Sequence, residues 1–217
     1  MYPAGNLFIP TSHGRLEAIL KEPRAHGEHA SPRGAALVLH PHPLHGGTMH
    51  NKVVFRAARA LNDAGLVTLR INFRGVGHST GTHDEARGEQ DDARDALDYL
   101  AAKYEGLPLT LAGFSFGARV GLEYGATEPR ISHLIGIGTP VNMYDFAFLQ
   151  NIRRPLLLVH GEQDEFGDIA RLQSLSQQIS THHTRVQLAI IPNAGHFFEG
   201  QLDEMSSTIR EWMEKQE

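Results

Sequence analysis

The chain has 217 residues, a length that suits one domain built around a single large core. Apolar residues make up 41% and charged residues 21%, and a formal net charge of −5 excludes an electrostatic nucleic-acid binder, because no basic stretch is present to neutralise a row of phosphates. The complete absence of cysteine excludes disulfides and thiolate metal sites. Met1–Ser12 shows neither a basic n-region nor an apolar h-region, and no apolar run is long enough to span a bilayer. The expectation is a cytoplasmic protein with no membrane or nucleic-acid partner; its oligomeric state is left open.

Short β-rich runs alternate with amphipathic stretches, which predicts an α/β fold: a mostly parallel central sheet with helices on both faces, residues 1–217 forming one domain. A first strand pair is expected at Asn6–Ile9 and Arg15–Lys21, turning at Thr11–Gly14. Pro23–Gly34 is rich in Pro, Gly, His and charge and reads as a surface loop. Ala35–His40 is a continuous apolar run, as in a strand buried on both faces. Asn51–Ala64 has helical spacing and ends at Gly65, a natural C-terminal cap. Leu66–Asn72 is a strand and Glu89–Tyr104 a helix, whose Glu89, Asp91 and Asp92 are placed to face the positive end of the helix dipole. Strand Leu107–Gly113, helix Phe116–Ala126, strands His133–Gly138 and Pro155–His160, helix Asp168–Ile179, strand Arg185–Ile191 and a helix to about Lys215 follow. There is no internal repeat and no low-complexity tract.

Gly75-Val-Gly-His-Ser-Thr-Gly81 follows a strand, but its G-x-G-x-x-x-G spacing is one residue too long for a dinucleotide loop, and no helix opens directly after it. It reads as a tight turn, with Arg74 paired to a nearby carboxylate.

The segment Gly113-Phe-Ser-Phe-Gly117 has the pattern G-x-S-x-G between an apolar strand and a helical stretch. A sharp strand-to-helix turn needs side chains to be absent on either side, and it lifts the serine hydroxyl beside a helix N-terminus, where negative charge is stabilised. A serine hydroxyl is a weak nucleophile and needs a general base oriented by a third group. After Ser115, one strand ends in His160-Gly-Glu-Gln-Asp164 and the last ends in Asn193-Ala-Gly-His196. Both Asp164 and His196 fall just past the carboxyl ends of strands, where sites in open α/β sheets are built. Glu162, Glu165 and Asp168 compete for the acid role, and His196 is one of 14 histidines, although His182-His183 precede the final strand.

These motifs, together with His40-Pro-His-Pro43 and Asn72-Phe-Arg-Gly-Val-Gly-His-Ser79, run through nearly the whole chain. The sequence resembles the small, lidless serine esterases of the α/β-hydrolase superfamily, relatives of dienelactone hydrolase. The resemblance implies the α/β-hydrolase fold without a lid domain. It also implies a catalytic triad in the order Ser115, Asp164, His196. Dienelactone hydrolase typically has a cysteine nucleophile; serine here favours ordinary carboxylic esters, and an aspartate nucleophile of the dehalogenase or epoxide-hydrolase kind is absent from position 115.

A tetrahedral oxyanion needs two donors. One is the backbone N–H of Phe116. The other comes from the Pro41–Gly47 loop, where Pro41 and Pro43 have no N–H and leave His42 and Leu44. Similar enzymes carry His-Gly-x here and use the amide of x, which by position selects His42. His40, His42, His45 and His50 lack the carboxylate or helical spacing of a zinc site, so neither metal nor cofactor is expected. Only Thr139–Arg154 stands where lipases insert a lid, and Leu44, Met143, Phe146 and Phe197 are the candidate substrate contacts, with Phe114, Phe116 and Phe148 as further apolar wall. The expected activity is hydrolysis of a small-molecule ester with a short acyl chain through an acyl-enzyme on Ser115. Thioesterase, peptidase or amidase activity on the same triad, and a non-catalytic binding protein of the same fold, are the alternatives.

Overall fold

Every residue of Gly34–Leu39 is buried, and the rest of the sheet grows outward from this strand. The computed structural model describes residues 7–23, 31–180 and 185–216; Asn6 of the first expected strand, residues 24–30 of the Pro23–Gly34 loop and the His182-His183 pair lie outside them. The strands are β1 (Leu7–Thr11), β2 (Gly14–Lys21), β3 (Gly34–Leu39), β4 (Leu66–Ile71), β5 (Leu109–Phe114), β6 (Ile131–Ile137), β7 (Leu156–Gly161) and β8 (Val186–Ile191). They form one sheet in the order β1-β2-β4-β3-β5-β6-β7-β8. β1 pairs with β2, and β2 with β4, antiparallel; all later pairings are parallel.

The helices are α1 (Lys52–Asp63), α2 (Arg87–Lys103), α3 (Phe116–Thr127), α4 (Ile169–Ser180) and α5 (Leu202–Glu214). Alternation along each strand divides the core between two layers. Leu37, Leu39 and Leu111 pack with Ala96 and Leu97 of α2, Val120 of α3 and Leu172 of α4. Ala36, Val38, Ala112 and Phe114 face the other way, onto α1 and onto Met205 and Ile209 of α5. Asn51 caps α1 by accepting a hydrogen bond from the Val53 N–H, and Gly65 (φ 88°) ends it. No described helix is long and apolar enough to cross a membrane.

Boundaries move where polar contacts override periodicity. Leu107 closes a turn onto the Tyr104 carbonyl, so β5 begins at Leu109 rather than Leu107. α2 begins at Arg87, because the buried Glu89 carboxylate accepts from the N–H groups of Asp84 and Ala86 and caps the helix from its third position. Asp92 therefore stands beyond the first turn and does different work. It is fully buried and accepts from the Arg74 backbone N–H (2.8 Å), from Arg74 Nε and Nη2 (3.1 and 2.8 Å), and contacts His13 Nε2 at 2.9 Å. One carboxylate thus ties the β1–β2 turn, the strand end before the glycine-rich turn, and α2.

His40 makes a second tie. Its Nε2 accepts from the Phe73 N–H at 3.0 Å, so the proton sits on Nδ1, which donates to the Pro41 carbonyl at 2.6 Å. Burial pushes its pKa down to about 4. Since the unfolded chain protonates near 6.5 and the folded one does not, stability is lost as pH falls through the interval from 6.5 to about 4. Urea unfolding at pH 7 and pH 4.5 is expected to show this loss, reaching about 3 kcal/mol from His40 at the acid end. His40→Gln should flatten the curve, leaving the contributions of His42, His133 and His160, which burial lowers in the same direction. Asp92→Ala, which strands the Arg74 guanidinium, is expected to cost about 3–5 kcal/mol in thermal or urea unfolding.

Candidate active site

β5 ends at Phe114 and α3 starts at Phe116, so Ser115 alone makes the turn, with φ 56° and ψ −116°. A non-glycine residue held there is strained, and packing must compensate. The two flanking glycines permit that packing. A Cβ on Gly113 would stand 2.1 Å from the Gly117 carbonyl oxygen, and one on Gly117 would stand 2.6 Å from the carbonyl oxygens of Leu39 and His40. The Ser115 N–H donates to the Ile137 carbonyl at the tip of β6 (2.9 Å), which fixes the turn from the other side.

The loops after β7 and β8 are bound together: Glu162 N–H donates to the Ile191 carbonyl and Gln163 N–H to the Ala194 carbonyl. The Asp164 side chain is fully buried; its Oδ1 accepts from the Phe166 N–H at 2.9 Å, and its Oδ2 accepts from His196 Nδ1 at 2.8 Å. With the proton fixed on Nδ1, the His196 Nε2 is the basic nitrogen, and it lies 2.9 Å from Ser115 Oγ. Rings of Phe114, Phe166 and Phe197 surround the imidazole at centroid distances of 4.9, 4.6 and 5.2 Å. The competing acids are placed elsewhere: Glu162 accepts from the Asn193 N–H, Asp168 from the Arg171 N–H, and Glu165 is exposed at the cleft wall. His160, which the sequence reading did not single out, lies behind Asp164, with Nε2 3.7 Å from Oδ2 and hydrogen-bonded to the Gly167 carbonyl at 2.7 Å.

The Pro41–Gly47 loop contains a short 3₁₀ helix, Pro43–His45. His42 organises it: its carbonyl accepts from the N–H groups of His45 and Gly47, and its Nδ1 accepts from the Leu44 N–H at 3.2 Å. That contact occupies the Leu44 amide. The N–H groups of His42 and Phe116 donate to nothing among the described residues, and the two side chains pack together at 4.8 Å. Burial, then the nearby His45 and His83, lower the pKa of His42.

A cleft of about 250 Å³ opens over Ser115 and is lined by Met143 and Phe197, two of the candidate substrate contacts, and also by Tyr144, Phe166, Asn51 and Glu165. Two expected substrate contacts are corrected. Leu44 is 70% exposed on the outer side of its turn and does not line the cleft. Phe146 is 4% exposed and sits in the core, beside Phe148 and Arg119. Both follow from local folding that periodicity does not reveal: the 3₁₀ helices Pro43–His45 and Ala147–Asn151 turn these side chains away. Ala147–Asn151 is also the only helical turn described between β6 and β7. Among the described residues no three His, Cys, Asp or Glu side chains are grouped to hold a metal ion.

Comparison with known proteins gives a consistent result. A family model described as serine aminopeptidase, S33, matches residues 42–148. An uncharacterized protein of Rickettsia prowazekii (strain Madrid E) is 40% identical over 184 residues, 82% of this chain and 77% of that protein. An α/β serine hydrolase homologue from Coxiella burnetii superimposes with a TM-score of 0.86 at 33% identity, covering 97% of this chain and 98% of that one. A Xanthomonas campestris protein described as an α/β serine hydrolase without lid gives a TM-score of 0.85 at 32% identity, over 100% of this chain and 99% of its own. With this sheet, this elbow and these relatives, the chain belongs to the lidless α/β serine hydrolases.

Proposed function

We propose that the protein is a carboxylesterase acting on short-chain acyl esters. The observation that carries the reading is the hydrogen-bonded run Ser115 Oγ–His196–Asp164, with links of 2.9 and 2.8 Å, at the floor of a small open cleft. Ser115 Oγ attacks the ester carbonyl carbon while His196 Nε2 takes its proton. Asp164 holds the imidazole tautomer and stabilises the imidazolium that forms. The oxyanion is met by the N–H groups of Phe116 and His42, the first at the start of α3. The C–O bond to the alcohol then breaks, and His196 returns the proton to the leaving oxygen. Water, deprotonated by His196, hydrolyses the acyl-enzyme to the free acid.

A cleft of about 250 Å³, walled by Met143, Tyr144, Phe166 and Phe197, suits a short acyl group better than a fatty chain. A second reading has its own support. Among the described residues Glu165 is the single carboxylate on the cleft wall, and a peptide α-ammonium group would pair with it; alanine p-nitroanilide separates an aminopeptidase from an esterase.

With p-nitrophenyl esters from acetyl to decanoyl, turnover should peak at acetyl or butyryl and fall toward decanoyl. Ser115→Ala is expected to lower kcat by about 10⁴-fold or more. Retained turnover would remove Ser115 from the nucleophile role. Asp164→Asn, which reverses the hydrogen-bond demand on His196, should lower kcat by about 10⁴-fold with KM little changed; a loss confined to KM would contradict the assigned role.

A further inference from the structure

A second cavity of about 530 Å³, twice the size of the cleft, adjoins it and runs between the loop before α1 and the turn before α5. Cleft and groove share Gly46, Asn51 and Phe197 in their linings, so the groove stands next to a molecule seated at Ser115. Phe197 directly follows His196 and packs edge-on against its imidazole at 5.2 Å. Since His196 delivers the proton to the leaving oxygen, the half of the ester that lies along this side is the alcohol.

The walls of the groove state the chemistry of that alcohol. Asn51 Oδ1 is committed to the Val53 N–H as the cap of α1, which leaves its Nδ2 as a donor without a partner among the described residues. Lys52 and His50 add further donors on the same wall, and Glu199 supplies an acceptor on the other. Neither Lys52 nor Glu199 makes an ion pair among the described residues. Donors facing an acceptor match hydroxyl groups, which do both. An alkyl alcohol would make none of these contacts, whereas a polyol answers the donors and the acceptor together.

Resting on the esterase reading, we propose that the groove is the leaving-group subsite, and that the substrate is a short-chain ester of a small polyhydroxylated alcohol, of glycerol or sugar size. Asn51 and Lys52 are its specificity-determining residues. The chemistry is unchanged: water cleaves the ester to acid and polyol, with Ser115 carrying the acyl group between the steps.

The test compares 1-glyceryl butyrate with 1-propyl butyrate in a pH-stat. Wild type should favour the glyceryl ester in kcat/KM by about tenfold or more, as expected when a site built to hydrogen-bond hydroxyls is offered an analogue without them. Asn51→Asp keeps the helix cap and removes the donor, and Lys52→Ala removes the ammonium. Each should lower the glyceryl-to-propyl ratio by about threefold, and the double variant should bring it near one. A ratio near one in wild type, or an undiminished ratio in the double variant, overturns the proposal, while Ser115-dependent turnover of p-nitrophenyl butyrate leaves the esterase reading standing. Should that turnover be absent, the esterase reading falls, and the groove is judged by titrating 1-glyceryl butyl ether into wild-type protein. Amide NMR shifts at Thr48–Val53 that are lost in the double variant support a polyol site; no shifts there overturn it.

Discussion

The structure turns on a close approach of backbone. At Gly117 the first turn of α3 presses against the carbonyls of Leu39 and His40, and at Gly113 the end of β5 presses against that same turn. No side chain has room in either place. This contact lets Ser115 sit between strand and helix in a conformation that serine adopts only under constraint, and it brings the start of α3 beside the loop that leaves β3. Phe116 and His42 come from segments far apart in sequence, and their rings pack at 4.8 Å where Gly117 lets α3 lie against the end of β3.

Polar ties hold the surrounding loops to this contact. His40 joins the ends of β3 and β4 through Phe73, and Asp92 joins the turn before β2 and the strand end at Arg74 to α2. Glu17 does similar work for the glycine-rich turn, accepting from Asn72 Nδ2 and from the His78 N–H, while Ser79 Oγ donates to the Asn72 carbonyl. The acidic and imidazole groups near the carboxyl ends of the strands therefore divide into a set that binds loops and a smaller set, Asp164 and His196, that faces the serine. A buried charged group is costly unless well paired, and the structural carboxylates Glu17, Glu89 and Asp92 are each met by several donors.

Much of this was legible in the sequence. Ser115, Asp164 and His196 each follow a strand, and strand ends are readable from apolar runs broken by glycine. The division of labour among polar residues was not. Asp92 looks like a dipole-complementing acid in the first turn of a helix, until Glu89 caps that helix earlier and leaves Asp92 to Arg74 and His13. His160 gives no local signal at all, since its position behind Asp164 depends on the path of the chain to Gly167. Among Met143, Tyr144, Phe146 and Phe148, which side chain faces the cleft is set by the 3₁₀ helix at Ala147–Asn151, a device without a periodic signature.

The exposure of the cleft rim has an evolutionary consequence. Met143 and Phe197 are about half exposed, and Lys52 and Glu199 also stand at the surface, so replacing them removes little packing. The residues that build the elbow and its anchors, by contrast, lie in the interior, where most changes are destabilising. Mutational tolerance and chemical selectivity are thus concentrated in the same few positions. Under the proposed esterase function, descendants of this chain can drift from one ester to another through single surface substitutions, each nearly neutral for folding, without disturbing the buried residues around the serine.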